Sequence, residues 1–175
     1  FMLFCVQCIV KFSFANIFSH LTFSILLMAF HIFSTPSYVS IWLLDSTSLT
    51  QKLKEKYEDF EVNVISQKES MPYKCENQLL NSPENIEIIV REVELLGNQK
   101  PVVNARSLIP MTEDTIDILK IGSRPLGEIL FDDPKIERGH LEVGSFQNSW
   151  ARRSTFTIGK TNLLVTEIFL ESLYA

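Results

Sequence analysis

Two tight turns, Gly97-Asn98-Gln99-Lys100 and Gly159-Lys160-Thr161-Asn162, restrict what this chain can fold into more than any other feature. Extended apolar runs flank each of them: Ile86 to Leu96 and Val102 to Ile109 around the first, 150–158 and Leu163 to Leu170 around the second. Strands joined by turns this short lie antiparallel, because a parallel pair needs a crossover of about a dozen residues or more. Glu61 to Gln67 and residues 137–146 read as further strands. Helical signals are few. Ser48-x-x-Gln51 is a capping box in front of an apolar stripe of Leu49, Leu53 and Tyr57. Thr112 to Ile121 fits a short helix capped by Thr112 and ended by Gly122, and Pro125 opens another over Leu126 to Phe131. Residues 68–85 are polar, carry Pro72 and Pro83, and read as a surface loop or lid. The expected class is α+β, built on one antiparallel sheet.

Composition then divides the chain. Residues 1–44 hold eight of the thirteen Phe and one charge, Lys11, and no Lys, Arg, Asp or Glu occurs from Phe12 to Leu44. All six glycines lie beyond that point. The expected division is an apolar leader over 1–41 and a domain over 42–175. Ile17 to Phe33 approaches the length of a membrane span but is diluted by Ser19, His20, Thr22, Ser24 and His31. A cleaved targeting peptide and an extension whose helix packs on the domain are the other readings, so membrane contact through residues 12–34 stays open.

The net charge of −5 argues against a nucleic-acid partner, while a few local cations still suffice for a small anionic substrate. Cys5, Cys8 and Cys75 are too few for a disulfide framework, and Cys5-x-x-Cys8 lacks the second pair a zinc site requires. His140 is the domain's only histidine and has no serine or cysteine elbow to serve. No nucleotide-binding glycine motif is present.

Strand alternation isolates two charges. Arg91 shares a face with Ile89, Val93 and Leu95, and Glu167 shares one with Leu163, Val165 and Phe169. A lone charge in an apolar row calls for a partner or a ligand. Either the two pair with each other, or they face a ligand. Leu49 and Leu126 begin helices, where main-chain N–H groups lack intrahelical acceptors and attract anions. Arg91 with those two amides would form a carboxylate site. Arg152 and Arg153, adjacent on a strand, must point to opposite faces.

At these residues the sequence resembles the chorismate lyase family. The resemblance is carried by Trp42-Leu-Leu-Asp-Ser-Thr-Ser-Leu-Thr50, Val90-Arg91-Glu92-Val93 and Ala105-Arg106-Ser107-Leu108-Ile109-Pro110. Pro125-Leu126-Gly127-Glu128-Ile129-Leu130-Phe131 continues it. Trp150-Ala151-Arg152-Arg153-Ser154 with Leu163-Leu164-Val165-Thr166-Glu167-Ile168-Phe169-Leu170 completes it. The blocks keep the family's order and spacing across 42–170, and look more like its cyanobacterial and red-algal plastid branch than its proteobacterial one. Ala151 departs from the glycine of better-known members.

The resemblance implies a sheet of about six strands with helices on one side and a ligand pocket beneath flaps. It implies a cofactor-independent lyase that splits chorismate into 4-hydroxybenzoate and pyruvate for quinone biosynthesis. The expected enzyme is a monomer without a metal, in the plastid stroma or, alternatively, the cytoplasm. Carried over by motif, Arg91 and the amides of Leu49 and Leu126 hold the ring carboxylate, and Glu167 meets the ring hydroxyl. Arg91 and Glu167 are the expected catalytic residues, and Arg106, Arg152 or Arg153 would receive the second carboxylate. A non-catalytic module of the same fold that binds small aromatic acids is the alternative.

Overall fold

A computed structural model describes residues 35–80, 82, 85–146 and 149–175. Cys5-x-x-Cys8 and the apolar stretch 12–34 lie outside the described residues, and no helix among those described is long and apolar enough to cross a membrane. Seven strands form one sheet: β1 (Phe60–Glu69), β2 (Ile88–Gly97), β3 (Lys100–Pro110), β4 (Glu137–Arg138), β5 (Glu142–Phe146), β6 (Ser149–Ile158) and β7 (Thr161–Phe169). Its order is β1-β2-β3-β7-β6-β4, with β5 beside β4 on the same edge of β6, and every pairing is antiparallel. The α-helices are α1 (Ser37–Leu43), α2 (Leu49–Lys56), α3 (Lys74–Leu80) and α4 (Leu126–Asp132).

Both turns form as their residues dictate. Asn98 and Gln99 sit at φ 49° and 65°, the left-handed pair that lets a two-residue hairpin follow the twist of its strands. Gly159, at φ 57°, opens the second turn. The register from β2 through β3 to β7 aligns Arg91, Ser107 and Val165, and beside them Val93, Ala105 and Glu167. These side chains therefore share one face, called here the pocket face.

Two apolar clusters cover that face. Val39, Trp42 and Leu43 of α1 and Leu49 and Leu53 of α2 pack on Leu95, Val103 and Phe169. Leu126 and Leu130 of α4 pack with Ile118 on Ile109, Phe156 and Leu163. Ser48 caps α2 by accepting the Gln51 N–H at 3.4 Å, while the Gln51 side chain turns to Glu55 rather than closing the other half of the capping box.

Four expectations need correction. Residues 68–85 are not only a loop, because α3 lies within them, and it packs Leu80 on Val90, Leu108 and Leu164 of the opposite face. Helices therefore cover both faces rather than one. The anchor of α3 is a tertiary ion pair, Glu76 with Arg106, which local pattern does not reveal. Thr112 to Ile121 forms turns and a 3₁₀ segment, Ile118–Lys120, instead of an α-helix. There the backbone closes three-residue turns, with the N–H groups of Thr115, Ile118 and Ile121 donating to the carbonyls of Thr112, Thr115 and Ile118. Residues 137–146 break into β4 and β5, since Gly139 approaches β6 so closely that a Cβ would stand 2.3 Å from the Thr155 hydroxyl. The core among the described residues also takes in α1, where Val39 is 1% exposed.

A protein starting at Thr35 keeps every described side chain of this core, whereas one starting at Leu44 loses Val39, Trp42 and Leu43. Each lost side chain is expected to cost about 2–5 kcal/mol. Thermal unfolding should show a cooperative transition for the longer protein and none, or a strongly lowered one, for the shorter.

Candidate active site

The pocket lies between the pocket face and the first turns of α2 and α4. Val62, Val93, Leu95, Val165, Leu130 and Phe156 make most of its wall apolar, and the ionisable groups in its lining are Arg91 and Glu167.

Arg91 is 3% exposed and pairs with no carboxylate among the described residues. Its Nη1 donates to Gln67 Oε1 at 2.7 Å and its Nη2 to the Gly122 carbonyl at 2.8 Å. Gln67 stands opposite Arg91 on β1, and Gly122 adopts φ 59° in the turn before α4. Both acceptors are neutral, so they fix the guanidinium without cancelling its charge. Burial pulls its pKa below the usual arginine value, the mark of a cation without a counterion.

Glu167 does not pair with Arg91. Its carboxylate accepts from Arg152 Nε at 2.5 Å, directly across the β6–β7 ladder. The Arg152 side chain, 1% exposed, also donates through Nη1 to the carbonyls of Trp42 and Asp45 at 2.8 and 2.6 Å. That grip holds the chain entering α2 against the sheet. Asp45 in turn accepts from Thr47 and Lys52.

Leu49 and Leu126 are the first residues of α2 and α4, so their amides lack intrahelical acceptors and open beside the pocket. Gly127 brings the two helix starts together, for a Cβ there would lie 2.6 Å from the Thr50 hydroxyl. An exposed ion pair, Lys54 to Glu128 at 2.5 Å, spans the same junction. The structure therefore brings Arg91, Glu167, Leu49 and Leu126 to one cavity.

The three arginines expected to receive a second carboxylate fare differently, and two are corrected. Arg106 and Arg153 point from the opposite face, because strand parity sets them one residue away from Ser107 and Arg152. There Arg106 is held by Glu76 at 2.8 Å and Glu92 at 2.9 Å, and Arg153 by Glu142 at 2.6 Å. Arg152 is on the pocket face but is taken up by Glu167 and two carbonyls. Sequence reasoning missed Arg138 of β4, which lies opposite Phe156 on the pocket face. The break at Gly139 hid it by interrupting the alternation. Among the described residues, no group of three or more His, Cys, Asp or Glu side chains is placed to hold a metal ion.

A family model described as chorismate lyase matches residues 24–175, reaching upstream of Trp42. The chain belongs to the chorismate lyase family. A probable chorismate pyruvate-lyase of Shewanella sp. is 37% identical over 156 residues, covering 77% of this chain and 81% of the relative. The chorismate pyruvate-lyase of Pectobacterium carotovorum is 30% identical over 138 residues, covering 77% and 78%. Both relatives are bacterial. The C-terminal domain of the histidine utilization repressor of Pseudomonas syringae superposes with a TM-score of 0.51 at 14% identity, covering 65% of this chain and 93% of that domain. It shows the same fold in a second setting.

The two buried arginines should respond oppositely to removal of charge. Arg152→Met strands Glu167 and two carbonyls and is expected to destabilise by about 3–5 kcal/mol. Arg91→Met removes a cation that has no counterion and should stay within about 1 kcal/mol of the parent. Denaturant unfolding of both variants checks the contrast.

Proposed function

We propose that this chain eliminates pyruvate from chorismate and leaves 4-hydroxybenzoate. The observation that carries the reading is Arg91, a buried guanidinium held in place by neutral acceptors in a largely apolar pocket. Such a cation is stabilised by a bound carboxylate, and a planar fork grips one in two places where lysine could not. The amides of Leu49 and Leu126 complete the carboxylate site, and Glu167, further along the same face, accepts from the ring hydroxyl.

The reaction needs little from the protein beyond placement. The bond between ring carbon and enolpyruvyl oxygen breaks, and the hydrogen on the hydroxyl-bearing carbon moves to the enolpyruvyl methylene. The released fragment is pyruvate, and the ring becomes aromatic, which supplies driving force. What the pocket adds is a fixed orientation and an apolar wall that excludes water. With Arg152 already balancing its charge, Glu167 acts as an orienting acceptor rather than as a base.

The finer setting rests on the resemblance alone: a plastid stromal enzyme of the cyanobacterial and red-algal branch, monomeric, feeding quinone synthesis. Imaging of the tagged protein and its elution volume in gel filtration check the first two.

Purified protein incubated with chorismate should release 4-hydroxybenzoate and pyruvate in equal amounts. Binding of 4-hydroxybenzoate without turnover would instead favour a sensing module of this fold. Arg91→Ala is expected to lose about 2–5 kcal/mol of 4-hydroxybenzoate affinity by calorimetry. Glu167→Gln, which still accepts a hydrogen bond, should lower kcat about tenfold at most. A loss of about a hundredfold or more with affinity intact would make Glu167 the base.

A further inference from the structure

Chorismate carries two carboxylates, one on the ring and one on the enolpyruvyl group, and Arg91 accounts for the first only. Three arginines project from the pocket face: Arg91, Arg138 and Arg152. Arg152 is neutralised by Glu167. Arg138, like Arg91, pairs with no carboxylate among the described residues.

The Arg138 side chain is nevertheless built in. Its Nε donates to the Ser154 hydroxyl at 3.0 Å and its Nη1 to the Ser46 carbonyl at 2.9 Å. Its guanidinium carbon stands 5.6 Å from the ring centres of both Phe131 and Phe156, which line the pocket. Those rings meet edge to face at 5.7 Å and give the guanidinium a firm flank. Its Nη2 has no acceptor among the described residues. Burial and the neighbouring Arg152 charge lower its pKa, while Glu167 and Asp45 oppose the shift, so the group belongs to the electrostatics of the site. Three arginines against one glutamate leave two positive charges on this face, which match a dianion.

We propose that Arg138 receives the enolpyruvyl carboxylate of the substrate. The inference rests on the chorismate reading above and deepens it. The substrate is then gripped at both ends, by Arg91 on the β2 side of the pocket and by Arg138 at its β4 rim. The product 4-hydroxybenzoate keeps only the first contact, and pyruvate carries away the second. Arg138 thus distinguishes substrate from product, whereas Arg91 binds both.

Two ligands separate these contacts without turnover: 4-hydroxybenzoate, and a non-reacting benzoate that bears the enolpyruvyl ether on its ring. Their dissociation constants are measured by calorimetry for the parent, Arg138→Ala and Arg138→Lys proteins. Arg138→Ala is expected to weaken the ether-bearing benzoate about tenfold or more and to leave 4-hydroxybenzoate within about twofold. Arg138→Lys, which keeps the charge, should recover part of the loss. Equal weakening of both ligands would overturn the proposal, because Arg138 would then serve only to hold the Ser46 carbonyl and the entry to α2. No effect on either ligand would overturn it as well. If the parent protein binds neither benzoate, the chorismate reading falls and takes this inference with it, an outcome distinct from failure of the Arg138 variants alone.

Discussion

The ion pair between Arg152 and Glu167 decides what the other charges on the pocket face are free to do. Burying either group alone would cost several kcal/mol, so the pair must form wherever β6 and β7 are zipped together. Because Glu167 is spent on Arg152, it does not neutralise Arg91, and Arg91 reaches the cavity with its charge uncancelled. The same Arg152 also holds the Trp42 and Asp45 carbonyls, which lead directly into the capped start of α2. One guanidinium thereby links the strand that carries Glu167 to the helix that presents the Leu49 amide.

A second buried network on the opposite face has the reverse character. Arg106 there is held by Glu76 and Glu92, and Arg153 pairs with Glu142. Each arginine there has a carboxylate partner, and the Glu76–Arg106 pair fastens α3. Two faces of one sheet thus use arginine differently. Full pairing gives structure on one side, and incomplete pairing gives a binding site on the other.

Much of this was legible in the chain. Alternation placed Arg91 and Glu167 on the apolar pocket face, and the turn residues fixed antiparallel pairing, because both signals are local. Ser48 and Pro125 likewise marked the helix starts whose amides border the pocket. The partner of Glu167 was not legible, since Arg152 and Glu167 are joined only by the β6–β7 register. The same holds for α3, whose anchor is the distant Arg106, and for Arg138, whose alternation is interrupted at Gly139. Residues whose position depends on pairing between distant segments are the ones that pattern alone leaves out.

Arg91 is a buried cation whose partners among the described residues are all neutral. Comparing 4-hydroxybenzoate with its uncharged amide, 4-hydroxybenzamide, tests its role as a carboxylate site most directly, because the two ligands share ring and hydroxyl and differ in charge. Calorimetric titration of the parent protein should show the carboxylate binding about a hundredfold tighter or more. Equal affinity for the amide would contradict it and return Arg91 to a purely structural role.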